Sequence, residues 1–284
     1  MIGATRRTVS VDRQGRAGGR FARLGPRSRS PVTRLDAVMV IAHLSDTHFD
    51  GDPRATDRAR RVMDYLDALP GPLHAILVSG DIADHGLTPE YELARAHLVS
   101  TKVPVLLLPG NHDVRGNFRE VLLGEAPGEG LGEGPVNRVV RVGGTVFALC
   151  DSSIPGRSDG LLEDGTLAWL DKVLARGAPT LVCLHHPPIT VHEPTIDRIR
   201  LGQADRLAEV LTRHDNALAV LCGHAHTGAT STFAGRPVLV APGVVSTLLL
   251  PWESTRVVDR DLPPALAFHV LADGRITTHY RVVP

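Results

Sequence analysis

From Met39 onward the chain alternates short apolar, β-rich runs with stretches of helical period. Val38 to Ser45 reads as a strand, residues 55–69 as a helix, and Ala75 to Ser79 as a second strand. Thr88 has the character of an N-cap, with Pro89 at the first helical position and Glu90 in the first turn, and opens a helix to about Val99. Residues 104–108 make a third strand. Strands at about 137–142 and 145–150 come next, joined through Gly143-Gly144; a helix at 163–176 leads to a strand at 180–184, and a helix at 203–214 to a strand at 217–222. The remainder is β-rich, at 229–233, 237–241, 265–271 and 275–282, with Ala272-Asp273-Gly274 as a hairpin turn. Repeated β-α-β order calls for right-handed crossovers. The expected fold is α/β, a four-layer α-β-β-α sandwich of two mixed sheets, in one domain spanning 39–284.

Charge divides the chain unevenly. Residues 1–38 hold nine Arg against Asp12 and Asp36, and since the whole chain is neutral, the rest carries a net of −7. With no apolar period, this Arg-rich extension reads as disordered, or as the product of an upstream start codon with Met39 as the true start. A core of negative sign repels phosphate backbones, so a nucleic-acid partner is not expected. No run approaches the ~18 apolar residues of a membrane span, and no secretory apolar region succeeds Arg6-Arg7, which points to a cytoplasmic protein without a membrane partner. Cys150, Cys183 and Cys222 end apolar runs and read as buried, reduced packing residues. Cys183 and Cys222, each two residues before a histidine, are expected on that histidine's face, deeper in the strand.

The segments just beyond the strands change the picture. Five strands end in Asp46-Thr47-His48, Gly80-Asp81, Gly110-Asn111-His112-Asp113, His185-His186-Pro187-Pro188 and Gly223-His224-Ala225-His226. In open α/β sheets the carboxyl ends of strands line the ligand crevice, so residues far apart in sequence can converge there. If extended, Asp46 and His48 share one face, as do His224 and His226. Gly80, Gly110 and Gly223 permit tight turns and close backbone approach beside them. Two carboxylates, an amide and four imidazoles are too many donors for one tetrahedral zinc and too rich in nitrogen for calcium or magnesium. Two transition-metal ions sharing a carboxylate fit this donor set.

The blocks DTH, GDIAD, GNHD, HHPP and GHAH, in this order, resemble the signature of the calcineurin-like metallophosphoesterase superfamily. By position in those blocks, the resemblance implies one ion held by Asp46, His48, Asp81 and His226, and a second held by Asp81, Asn111, His185 and His224. Asp81 would bridge them. It further implies attack on phosphorus by a hydroxide bridging the metals, with His112 binding a phosphate oxygen or protonating the leaving group, while Asp113 and Asp84 orient neighbours. Iron and manganese are the expected metals, zinc or cobalt the alternatives. The first histidine of HHPP matches the ligand, which leaves His186 outside the set. His43, His74, His97, His214, His269 and His279 match no block and read as surface or satisfied core residues, and His192 as solvent-exposed.

Phosphoprotein phosphatases of this superfamily resemble GDxxDRG and GNHE, whereas His85 and Asp113 stand here at the differing places. The chain is therefore closer in pattern to the class III cyclic-nucleotide phosphodiesterases and their glycerophosphodiesterase relatives. That implies a small-molecule phosphodiester substrate, first a 3′,5′-cyclic nucleotide, with 2′,3′-cyclic nucleotides, glycerophosphodiesters and then phosphomonoesters as alternatives. A non-catalytic scaffold of the same fold is the reading from another class, and the intact ligand set opposes it. Ala241 to Glu253, with Trp252, is a candidate substrate wall; the acidic loop 124–135 reads as a connector, with a lid as the alternative. A homodimer stays open.

Overall fold

The computed structural model describes residues 38–98, 102–125 and 134–284, all within one compact unit, Leu35–Pro284. The expectations for the extension 1–38, apart from Val38, and for residues 126–133 of the loop 124–135 lie outside the described residues. In chain order the elements are β1 (Met39–Leu44), α1 (Pro53–Asp67), β2 (Ala75–Ser79), α2 (Thr88–His97), β3 (Val105–Leu108) and α3 (Arg115–Asn117), which runs on into a π-helical turn, Phe118–Leu122. Then come β4 (Arg138–Val142), β5 (Thr145–Leu149), α4 (Asp164–Leu174), β6 (Thr180–Cys183), α5 (Pro194–Arg198), α6 (Ala204–Thr212) and β7 (Ala217–Cys222). The chain finishes with β8 (Ala229–Phe233), β9 (Arg236–Val240), β10 (Thr247–Leu248), β11 (Val258–Asp259), β12 (Ala265–Ala272) and β13 (Arg275–Val282).

The strands form two mixed sheets and a small ribbon. One sheet runs β13-β12-β1-β2-β3, parallel from β1 to β3 and antiparallel beyond β1; the other runs β4-β5-β6-β7-β9-β8, with parallel pairing from β5 to β9. Among the described residues, strands β10 and β11 pair only with each other. Side chains alternate across each strand, so neighbouring residues enter different cores. Met39 and Ile41 of β1 join Phe147, Leu181 and Leu221 in a cluster between the sheets, whereas Ala42 and Leu44 join α1 and α2 residues such as Val62 and Tyr91. A third cluster packs α4 and α6 against β5, β6 and β7.

Local chemistry explains the helix starts. Asp52 caps α1 by accepting the Arg54 amide at 2.7 Å, with Pro53 at the first position. At α2 the expectation is off by one residue: Thr88 is the first helical residue, and the cap position falls on Leu87, which offers no acceptor. Glu90 does the capping, because its carboxylate accepts the Leu87 and His85 amides at 3.1 and 3.0 Å. The elements α3, α5, β10 and β11 have no counterpart in the sequence pattern; each is too short to show a period. Among the described residues, no helix is long and apolar enough to cross a membrane.

Candidate functional site

All seven expected ligands and their three supporting residues meet where β1, β2, β3, β6 and β7 end. Parallel pairing sets this up, since loops leaving neighbouring strands on the same edge touch. The Asp46 amide donates to the Gly80 carbonyl at 3.1 Å, and the His48 amide to the Asp81 carbonyl at 3.0 Å. The expected extended geometry is corrected here. Asp46 (φ 56°), His48 (φ 42°), Asp81 (φ 49°), His224 (φ 68°) and His226 (φ 49°) all adopt the left-handed region, because each lies beyond its strand in a turn that aims the side chain into the site. Strands β6 and β7 pair with Cys183 opposite Leu221, so Cys222, one residue further on, takes the other face: Cys183 lies between the sheets and Cys222 on the helix side. All three thiols are buried, as expected, and burial pushes each up.

Each carboxylate has one oxygen clamped and one presented. Asp46 Oδ2 accepts the His224 amide at 3.1 Å, and Asp81 Oδ1 accepts the His112 amide at 2.9 Å. Asp46 Oδ1 lies 3.4 Å from His226 Nε2, and Asp81 Oδ2 lies 3.3 Å from His185 Nε2 and 3.7 Å from His48 Nε2. Imidazole orientation is equally determined. His185 Nδ1–H donates to the Ser79 carbonyl at 2.7 Å and His48 Nδ1–H to Asp84 Oδ1 at 2.8 Å, so both turn Nε2 inward; His226 Nδ1 pairs with the Ser246 hydroxyl at 2.7 Å.

These residues fit two cations. Asp46 Oδ1, Asn111 Oδ1 and His224 Nε2 are buried polar atoms without a hydrogen-bond partner among the described residues. His48 Nε2 stands 3.3 Å from His226 Nε2, and His185 Nε2 stands 3.3 Å from His224 Nδ1, where lone pairs repel unless a proton or cation intervenes. Asp46, His48 and His226 can place ligand atoms within 4.8 Å of one another, as can Asp46, Asp81 and His185. His186 also approaches His185 and His224, but its nitrogens face the Ser152 hydroxyl at 2.8 Å and the Ser158 carbonyl at 3.2 Å, so it supports the wall. Burial pushes its imidazole down to about 3.

The supporting residues have distinct tasks. Asp113 is a clasp: Oδ2 accepts the Ile82 and Gly110 amides at 3.1 and 2.9 Å and Oδ1 the Ala83 amide at 3.1 Å, tying the loop after β3 to the loop after β2. Burial, and then the charge of Asp81, push its carboxyl up to about 6. His112 Nδ1–H donates to the Asp84 carbonyl at 2.7 Å, which leaves Nε2 toward the site, 4.0 Å from Asp81 Oδ2. His85 is exposed and pairs with Glu90 at 2.8 Å.

Below the ligands, His43 and His269 are buried core residues joined at 2.9 Å, and His43 continues to the Ser79 hydroxyl at 2.8 Å and thence to Ser45 at 2.9 Å. A Cβ on Gly223 would stand 1.8 Å from Ser45 Oγ and 2.8 Å from Ser79 Oγ, so three ligand loops abut at that glycine. Gly223→Ala is therefore expected to cost about 1–3 kcal/mol by overpacking, read as a lowered Tm; an unchanged Tm would show that the junction yields freely.

Two features of the site carry no signal in the sequence pattern: the part of Ser246 in orienting His226, and the contribution of Ile196, Ile199 and Val258 to the apolar wall of the site cavity. The candidate wall 241–253 contributes Leu248, whereas Trp252 is 71% exposed and outside that lining. His192 is exposed, as expected.

Comparison with known proteins agrees with this geometry. The sequence profile of a family described as calcineurin-like phosphoesterase matches residues 39–228. The glycerophosphodiester phosphodiesterase GpdQ of Enterobacter lignolyticus is 32% identical over 244 residues, 81% of this chain and 86% of its own length. A probable cyclic nucleotide phosphodiesterase of Rhodococcus erythropolis is 35% identical over 219 residues, 73% of this chain and 71% of its own. A dimetal phosphatase structure from Danio rerio superposes with a TM-score of 0.60 at 17% identity, over 87% of this chain and 99% of that one, a likeness of fold.

Proposed function

Because the chain belongs to the calcineurin-like phosphoesterase family, we propose that its domain from residue 39 to 284 is a dinuclear-metal hydrolase of small phosphodiesters, with 3′,5′-cyclic nucleotides as the first substrate class. The observation that carries this reading is Asp81: one oxygen held by the His112 amide, the other turned among His185, His48 and His112. One ion is assigned to Asp46, His48, Asp81 and His226, the other to Asp81, Asn111, His185 and His224. Such a donor set suits iron and manganese, with zinc or cobalt as substitutes. Bound ions supply hydroxide near neutral pH and neutralise phosphate oxygens.

The chain's own residues do the rest. Asp84 holds His48 through its carboxylate and His112 through its carbonyl, so one residue sets the direction of both rings. With Nδ1–H committed, a protonated His112 has Nε2–H to give to a departing alkoxide. Asp113 keeps the His112 loop and the Asp81 loop in register. Glycerophosphodiesters are the second substrate class, favoured by the likeness to the Enterobacter protein.

The test is turnover by metal-loaded protein of cyclic AMP, cyclic GMP, 2′,3′-cyclic AMP, glycerophosphocholine, an aryl phosphodiester and a phosphomonoester. Hydrolysis of the diesters above the monoester is expected; no turnover of any, with two ions bound, would sink the enzyme reading. Metal loading is expected to depend on pH. Burial lowers the His185 imidazole, but Asp81 beside it, then Asp46, outweigh burial and raise it to about 9. A proton is therefore on His185 below that pH and must leave when a metal takes Nε2. Apparent affinity should rise up to about tenfold per pH unit from 7 toward 9, with proton release seen by calorimetry in buffers of different ionisation heat. Proton-independent loading at neutral pH would contradict it.

A further inference from the structure

Two cavities meet at Asn111 and His112. The smaller, about 170 Å³, contains the metal-ligand side, with Asp81, His48, His224 and His226, and is closed opposite by aliphatic side chains. The larger, about 700 Å³, lies beyond His112 and is bounded by Val114, Ile154, Pro155 and Glu163. Segment 153–158 borders both: Ser158 lines the small cavity, and Ser153, Ile154, Pro155 and Gly156 line the large one.

An in-line displacement places the nucleophile and the leaving oxygen on opposite sides of phosphorus. The residues that would hold the metals line the small cavity, so hydroxide supplied there would drive the leaving oxygen toward the other one. His112 stands at that border with Nε2 available. Resting on the phosphodiesterase reading, we infer that the 700 Å³ cavity is the subsite for the leaving alcohol, so that an acyclic phosphodiester, the second substrate class above, places its two ester arms in separate cavities. The size of the larger cavity is that of an ordinary small-molecule site, and the smaller is below that range. A compact retained arm and a bulkier leaving arm are the matching substrate. Glu163, half exposed at the edge, and the buried Arg115 3.8 Å from it both line the cavity with opposite charge, while Val114, Ile154 and Pro155 favour an apolar body. A 3′,5′-cyclic nucleotide has its base on the same sugar as its leaving oxygen, so its nucleoside enters the larger cavity as well. In the reaction, hydroxide forms a P–O bond, the bond from phosphorus to the alcohol oxygen breaks, and the alkoxide takes a proton from His112 to leave as the free alcohol, giving a phosphomonoester.

Binding and kinetics test this separately. The zinc-loaded full chain, labelled at isoleucine δ-methyls, is titrated with an inert phosphinate bearing methyl on one arm and phenylethyl on the other. The Ile154 methyl, beside the phenyl ring, is expected to shift more than those of Ile196 and Ile199, which meet only the methyl arm; equal shifts or the reverse order overturn the assignment, whether or not any diester is turned over. For two diesters with leaving alcohols of equal acidity, one small and one carrying a phenyl ring, kcat/KM is expected to favour the bulky one about tenfold, the worth of roughly 60 Å² of apolar surface. Ile154→Asp should return that ratio toward one. A ratio already near one in the unaltered protein, or unmoved by Ile154→Asp, refutes the subsite. Absence of turnover for every diester would instead count against the phosphodiesterase reading, with the methyl shifts still deciding what the cavity holds.

Discussion

Asp81→Asn is expected to remove turnover almost entirely, with kcat/KM falling by about four orders of magnitude or more because hydroxide is no longer available near neutral pH. The substitution keeps the shape of the side chain, and an amide oxygen can still accept the His112 amide now held at 2.9 Å. The inner atom is the one that changes. An NH₂ donor replaces the oxygen that lies 3.3 Å from His185 Nε2 and 3.7 Å from His48 Nε2, and it will hydrogen-bond to those nitrogens in place of a cation. Metal content measured on purified protein should drop with activity, while the melting transition stays cooperative. A variant that keeps two ions and loses only about tenfold in rate would remove Asp81 from its shared position.

His112→Ala should behave differently, because this ring is no assigned ligand. Both ions are expected to stay. The loss should track the leaving group: about 10²–10⁴-fold for an alkyl diester, whose alkoxide needs a proton, and far less for a nitrophenyl diester, whose oxyanion departs unaided. Removal of the ring also frees the Asp84 carbonyl, now bonded at 2.7 Å, but that carbonyl is near solvent and can take water. Equal losses for both substrates would assign His112 to phosphate binding instead.

Much of this site can be read in the sequence because the residues assigned as ligands come in short blocks, each placed where an apolar run stops. Asp46, Asp81, Asn111, His185 and His224 each lie just past a β-strand, and strand ends are well marked by composition. The backbone of those blocks is not legible in the same way. Spacing alone predicts an extended Asp46 and His48, but φ values of 56° and 42° arise from contacts with the Gly80 and Asp81 carbonyls of another loop. Local spacing has no access to such tertiary hydrogen bonds. The walls are hidden for another reason. Ile196 and Ile199 sit in and just after a helix of five residues, and Val258 in a two-residue strand, lengths at which no period develops, whereas Leu248 belongs to the segment 241–253 singled out as a wall. Ser246 gives no signal, because a serine that orients a histidine across 20 residues looks like any loop serine.

The place of β1 in its sheet has a consequence for biosynthesis. It is flanked on one side by β2 and on the other by β12, with Met39 opposite Leu271, and the Ser45 and Asp46 carbonyls accept the Val244 and Val245 amides at 2.9 and 3.0 Å. The strand that delivers the first ligand thus acquires its second neighbour roughly 225 residues of synthesis later, on the order of ten to forty-five seconds at ordinary elongation rates. Throughout that interval one edge of β1 is an unpaired template for foreign strands. The last assigned ligand, His226, is itself made before β12, so a ribosome stalled between them holds a full ligand set on a β1 whose second edge is still bare.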